Sequence, residues 1–133
     1  MTYNCNEFIA KKEIDALVEW IVNYFFNKDT FIPSQFIFDF KFVIKELIIQ
    51  RIENHWYPDE PARGSGYRSI IIGRHIDPII LRACQLSKIN VGKMPGECVF
   101  MINPGLVKIR SLLNEKEEVI YSTKYYKIFL RIK

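Results

Sequence analysis

The sequence predicts an α+β fold: N-terminal helices packed on one side of a small, mainly antiparallel sheet. Three observations carry that expectation. Apolar residues recur at three- and four-residue spacing through the first 55 positions. Short β-branched segments separated by turn formers fill much of the second half. Helices come first and hairpin-connected strands later, an order that gathers the helices on one face of the sheet.

Residues 6 to 27 read as the first helix, with Ile14, Leu17, Val18, Ile21, Val22 and Phe25 on one stripe. Lys11, Lys12, Glu13, Asp15 and Glu19 lie largely off it, and Asn27 to Thr30 are turn formers. Residues 34 to 55 read as a second helix, with Pro33 and Ser34 as first-turn proline or cap. Its main stripe is Ile37, Phe40, Ile44, Leu47, Ile48 and Ile52. Phe36, Phe38, Phe42, Val43 and Ile49 widen it beyond one face, so the helix is either buried or presents a partner surface. The aromatic content leaves a strand reading open for Phe36 to Phe42.

Tyr67 to Ile72 reads as a short strand ended by Gly73. Asp77-Pro78 opens a third helix, with Asp77 as N-cap, Pro78 at the first helical position, and Ile79, Ile80, Ala83 and Leu86 as its buried stripe. Cys98 to Ile102, Val107 to Leu112 and Val119 to Ser122 read as further strands, joined by the turns Asn103-Pro104-Gly105 and Asn114-Glu115-Lys116. Phe100 and Ile102 alternate with Met101, which places Met101 on the opposite face of its strand. Residues 124 to 133 are expected to form one more strand or a tail, and an edge strand would use its lysines against aggregation.

At 133 residues the chain is about one domain's worth of material, and a single domain over 1–133 is expected. With 49% hydrophobic residues it can build a real core, and no run of 18 or more apolar residues predicts a membrane span. The start, Met1 to Glu7, lacks the basic-then-apolar layout of a secretory signal. Three widely spaced cysteines, Cys5, Cys84 and Cys98, do not suggest a disulfide framework, and a reducing cytoplasmic or nuclear setting is the simplest expectation. A net charge of +4 is compatible with nucleic acid but also with an ordinary solvated basic surface.

The most informative segment is His55 to Ile70. It places His55, Trp56 and Tyr57 beside Pro58 and Pro61, then Gly64 and Gly66, then Tyr67-Arg68. The prolines stop a helix and the glycines permit positive φ. Rings concentrated in a polar loop either anchor it to the core or face a partner. This stretch resembles the first signature box of the BTG/Tob antiproliferative family, in its His-Trp-Tyr-Pro opening and its Gly-Ser-Gly-Tyr-Arg close. The resemblance continues through Asp77-Pro78-Ile79-Ile80-Leu81-Arg82-Ala83-Cys84. It weakens over Pro95 to Pro104, where the family's second box usually ends Leu-Trp-Val-Asp-Pro. It covers about residues 6 to 112, leaving 113 to 133 as a hairpin and a C-terminal strand or tail.

The resemblance implies a compact α+β domain that acts as an adaptor. It implies docking to Caf1, the deadenylase subunit of CCR4–NOT, promotion of mRNA deadenylation, transcriptional co-regulation through transcription factors, and restraint of proliferation. Of the three family positions that dominate Caf1 contact, Tyr67 and Asp77 match, and Met101 stands where the family has Trp. Met keeps apolar reach but loses the indole donor, the rigidity and part of the area. Asn103 stands for the usual Asp. His55, Trp56, Tyr57, Pro58 and Pro104 are the loop and box anchors.

The residues offer no catalytic set, metal-ligand spacing or cofactor motif. His55 and His75 are the only histidines, there is no Cys-x-x-Cys, and Gly64-Ser65-Gly66 is too short for a phosphate loop. A non-enzymatic binding module is therefore expected. The alternative is a divergent member that has lost deadenylase docking and works by self-association or by RNA binding. The aromatic-rich second helix suggests the former. The basic and aromatic tail, with Lys124, Lys127 and Arg131, suggests the latter.

Overall fold

The computed structural model describes residues 10–26, 31–93 and 96–123. Helix α1, Lys11–Ile21, runs on into a π-helical turn at Val22–Phe26. Of its predicted stripe, Ile14, Leu17, Val18, Ile21 and Val22 are buried, and the Phe25 side chain lies outside what the structure describes. Helix α2 is Ser34–Ile52, helical throughout, so Phe36 to Phe42 is not a strand. Pro33 holds the N-cap position at ψ 143° without a side-chain cap, and its carbonyl accepts from the backbone N–H groups of Phe36 and Ile37. Phe40, Ile44, Ile48 and Ile52 are buried along one line of α2, whereas Phe38 and Phe42 are each 65% exposed. The residue range 6 to 9 and the turn 27 to 30 lie outside the described residues.

The strand expected from Tyr67 corrects to β1, Ile70–Ile72, preceded by a single helical turn α3, Ser65–Arg68. Gly64 enters that turn at φ 73°, and the Ser69 hydroxyl donates back to the Ser65 carbonyl. Local closure therefore outweighs the β preference of the residues. Helix α4, Pro78–Ser87, starts as expected: Pro78 is at the first turn and the Asp77 carboxylate accepts from the Ile79 N–H at 2.9 Å. Its buried line is Ile79, Ile80, Ala83, Cys84 and Ser87. Leu86 falls off that line and is exposed, contrary to the expectation from sequence.

Strands β2 (Cys98–Asn103), β3 (Leu106–Ser111) and β4 (Glu117–Ser122) complete an antiparallel sheet of order β1-β2-β3-β4. Ile70 pairs with Phe100, Phe100 with Ile109, and Met101 with Lys108. Cys98, Phe100 and Ile102 point into the core, and the Trp20 ring of α1 meets Phe100 edge-on at 5.8 Å. Phe26 meets Phe40 in the same way at 4.9 Å, joining the end of α1 to α2. Ion pairs from Lys45 to Asp15 at 3.1 Å and from Lys41 to Glu19 tie the two helices at the surface. The fold is thus α+β, with the helices gathered against the sheet as the sequence predicted. Among the described residues, no helix is long and apolar enough to cross a membrane.

Candidate partner-docking site

The loop after α2 is a chain of tight turns. Glu60 N–H donates to Tyr57, Arg63 to Glu60, Ser65 to Ala62 and Tyr67 to Gly64. Proline at 58 and 61 suits this succession because neither ring nitrogen has a hydrogen to place. The turns fold the chain around Arg68, which is fully buried. Its Nε donates to the Ile102 carbonyl at 2.7 Å. Nη1 donates to the carbonyls of His55 at 2.5 Å and Arg63 at 2.6 Å. Nη2 donates to the Pro61 carbonyl and to Asn103 Oδ1, each at 2.8 Å. Every guanidinium hydrogen is used, because Arg carries five donors.

Trp56 covers this centre, its ring 5.7 Å from the Arg68 guanidinium carbon. Arg63 lies over the Tyr57 ring at 4.3 Å. Gly64 is required here: a Cβ would stand 3.2 Å from both Arg68 Nη1 and Tyr57, and φ is positive. Burial lowers the Arg68 pKa from its ordinary value, with the Tyr57 phenol opposing. The group remains a cation at any physiological pH.

Tyr67 is the outward neighbour of this buried arginine. It is 64% exposed and stacks on His55, ring centres 4.1 Å apart and planes within 3°. A shallow hollow lined by Gly64, Ser65, Gly66 and Tyr67 opens beside it. Trp56 packs partly buried against the core, Pro58 is exposed, and Pro104 is buried in the β2–β3 turn.

Asp77 has a different situation. Both of its oxygens are bound by Arg51, at 2.6 and 2.7 Å, and one also caps α4. Its side chain is only 10% exposed. Arg51 also reaches the Ser69 carbonyl at 3.4 Å, so one α2 side chain links the segment after Tyr67 to the start of α4. Beside Asp77, an open apolar hollow is lined by Leu47, Pro78, Ile79, Leu81, Arg82 and Gln85.

Met101 is half-buried on the β2 face opposite Phe100. The Arg68 bonds to Ile102 and Asn103 lay the Tyr67–Ser69 segment alongside that end of β2. Tyr67, Arg68, Asn103 and Met101 therefore belong to one corner of the molecule. Asp77 joins it through Arg51. Lys124, Lys127 and Arg131 lie outside the described residues.

Arg51 and Arg68, the two residues that build the corner, were not singled out from sequence. Arg68 binds backbone carbonyls, which carry no residue-type signature. Arg51 stands 26 positions from its partner. Among the described residues no cluster of three His, Cys, Asp or Glu could hold a metal ion.

The BTG family model matches residues 10–121. Rat Tob1 is 32% identical over 96 residues, covering 69% of this chain and 26% of Tob1. Human BTG1 is 32% identical over 102 residues, covering 74% of this chain and 59% of BTG1. The chain thus spans about a quarter of the length of the Tob relatives it matches, and about three fifths of BTG1. Among solved structures, a substituted BTG/Tob domain of C. elegans FOG-3 superposes with a TM-score of 0.75 at 18% identity, covering 89% of this chain and 94% of that one.

Proposed function

Because the chain belongs to the BTG/Tob antiproliferative family, we propose that it is a non-catalytic adaptor that docks the Caf1 deadenylase subunit of CCR4–NOT and promotes mRNA deadenylation. Transcriptional co-regulation accompanies that role, and the protein works in both cytoplasm and nucleus. The observation that carries the reading is Tyr67: a large ring 64% exposed, yet held by the His55 stack and by the buried Arg68 next to it. An exposed, pre-ordered aromatic gives up little conformational freedom on binding and offers apolar area with a hydroxyl at its tip.

In this reading the other two family positions, the matching Asp77 and the departing Met101, take different tasks. Asp77 acts as a positioning residue, since its carboxylate is occupied by Arg51 and the α4 N-terminus. Met101 supplies apolar area at the rim. A Trp there would add a rigid face and an indole donor.

Binding to purified Caf1 tests the reading by titration calorimetry. Tyr67→Ala is expected to weaken affinity at least about tenfold, some 1.4 kcal/mol. Met101→Trp is expected to strengthen it about five- to thirtyfold, or 1–2 kcal/mol. No measurable binding by the unsubstituted chain or by Met101→Trp, with the fold intact, would overturn the proposal.

A further inference from the structure

At the other end of β2 from the Tyr67 corner, a cleft of about 290 Å³ opens between the end of α1 and strands β2, β3 and β4. Cys98 of β2 pairs with Ser111 of β3, and Ile109 of β3 with Glu118 of β4, so these four share the helix-facing side of the sheet. Trp20 and Tyr24 line the cleft from the helix side, stacked with ring centres 5.0 Å apart and planes at 10°. Tyr24 stands on the π-helical turn Val22–Phe26 and is 52% exposed. Such turns are rare and are frequent at functional sites.

The cleft divides into an uncharged floor and a charged rim. Ile109 and the buried Cys98 belong to the floor, and burial pushes the Cys98 thiol up to about 11, so it stays neutral. Glu117, at the border, is already bridged to Lys108 at 3.2 Å. Among the described residues, the Glu118 carboxylate, the Lys116 ammonium and the Asn114 side-chain NH₂ have no hydrogen-bond or ion-pair partner, while Asn114 Oδ1 accepts from the Lys116 N–H at 2.9 Å. A flat aromatic wall, one uncommitted carboxylate and two uncommitted donors thus border one cavity.

We infer that this cleft binds a guanine nucleotide, its base stacked on Tyr24, its N1–H and N2–H donated to Glu118, and its phosphate held by Lys116 and Asn114. An ionised carboxylate only accepts, so the base must present neighbouring donors to it. Guanine does so with N1–H and N2–H, whereas adenine and cytosine place a ring acceptor beside their amino group and uracil sets its single N–H between two carbonyls. An arginine side chain would satisfy the ring and the carboxylate but offers no acceptor to Lys116 and Asn114. The cavity lies at the low end for ligand sites, which suits one nucleotide. A dissociation constant on the order of 10–100 µM follows from one stacked base and a few exposed polar contacts. The inference does not rest on deadenylase docking.

Titration calorimetry on the full chain tests it with 5′-GMP, 5′-AMP, guanosine and a short RNA carrying one guanosine among uridines. 5′-GMP is expected to bind, 5′-AMP at least about tenfold more weakly, and guanosine about three- to tenfold more weakly. Tyr24→Ala is expected to weaken 5′-GMP at least about tenfold. Glu118→Gln is expected to bring 5′-GMP and 5′-AMP together, and Lys116→Ala to bring 5′-GMP and guanosine together. All three positions are exposed, so circular dichroism stays unchanged. RNA bound at least about tenfold more tightly than 5′-GMP identifies RNA as the source of the guanine, and RNA bound no better identifies the free nucleotide. No binding of either, equal affinity for 5′-GMP and 5′-AMP, or affinity untouched by both Tyr24→Ala and Glu118→Gln would overturn the proposal. So would tighter binding of acetyl-arginine amide than of 5′-GMP, lost in the same two variants.

Discussion

Arg68 and Arg51 both hold the segment between α2 and α4, yet Arg68 meets only uncharged oxygens, whereas Arg51 grips a carboxylate from both sides. The difference follows from position. Arg68 is wholly buried under Trp56, and the loop turns deliver backbone carbonyls to it. Arg51 is partly open to solvent at a junction of two helices and a strand, where an acidic cap was already needed. Neutral carbonyls fix a backbone path, since each of five loop or strand oxygens must be in place at once. A carboxylate fixes only the relative placement of two elements.

Removing Arg68 should therefore be the costliest change. Arg68→Met keeps volume but leaves four carbonyls and one amide oxygen without their donor. Each buried unsatisfied acceptor costs about 1–3 kcal/mol, partly relieved by water. A net loss on the order of 4 kcal/mol is expected in urea unfolding, together with exposure of Trp56 in fluorescence. Arg68→Lys recovers less than half, because three donors on one nitrogen cannot span five separated oxygens. An equal or smaller loss than for Arg51 would break the contrast.

Arg51→Met is expected to cost about 1–2 kcal/mol. Asp77 keeps its bond from Ile79 and loses only the guanidinium. Asp77→Ala should cost about 2 kcal/mol, since it removes a helix cap as well as the pair. Amide exchange separates the two arginines further. The Arg51 change should loosen the start of α4, and the Arg68 change the whole of residues 55–69.

Much of the frame was legible because periodicity is local. The buried line of α2 follows from Phe40, Ile44, Ile48 and Ile52, and the Asp77-Pro78 start of α4 is a matter of adjacent residues. Leu86 misled because hydrophobicity was read without phase: Ala83, Cys84 and Ser87 define the inward line at that turn. Tyr67 and Arg68 looked like strand because their side chains favour it, but Gly64 at positive φ had already committed the chain to a turn. At the candidate site, Tyr67 and the Trp56 anchor were readable as rings in a loop. The locking of Asp77 was not, since it requires Arg51 from a different element. Asn103 looked like a loss of charge, and its amide oxygen instead completes the Arg68 shell.

Asn103→Asp probes whether Arg68 needs neutrality. A carboxylate at this place turns one neutral hydrogen bond into a charge-assisted one, and a net gain of about 1 kcal/mol is expected at pH 7. The sign of its pH dependence is fixed. A carboxyl beside a buried guanidinium has its folded pKa depressed, so the gain is present above the unfolded value of about 3.9 and is lost as pH falls through the folded value. The unsubstituted protein lacks this component. If the variant is instead less stable at pH 7, desolvation of the carboxylate outweighs its attraction to Arg68, and the neutral shell is the better solution for a wholly buried arginine.

Tyr67→Ala is the smallest expected effect on stability. The ring lies 64% in solvent and stacks on His55. Surface substitutions away from buried networks usually stay within about 0.5 kcal/mol, and an aromatic pair adds about 0.5–1.5 kcal/mol when well formed. A loss below about 1 kcal/mol is therefore expected in urea, against about 2 kcal/mol for Asp77→Ala. Caf1 affinity should rank the pair in the opposite way. Tyr67 changes a surface the partner would touch, while Asp77 acts through the placement of α4 and can be compensated where the fold survives. Measuring both quantities on both variants separates a contact residue from a positioning one. If Tyr67→Ala unfolds the loop, its ring belongs with Arg68 and Trp56 among the anchors, and the docking surface must be sought nearer Leu47 and Leu81.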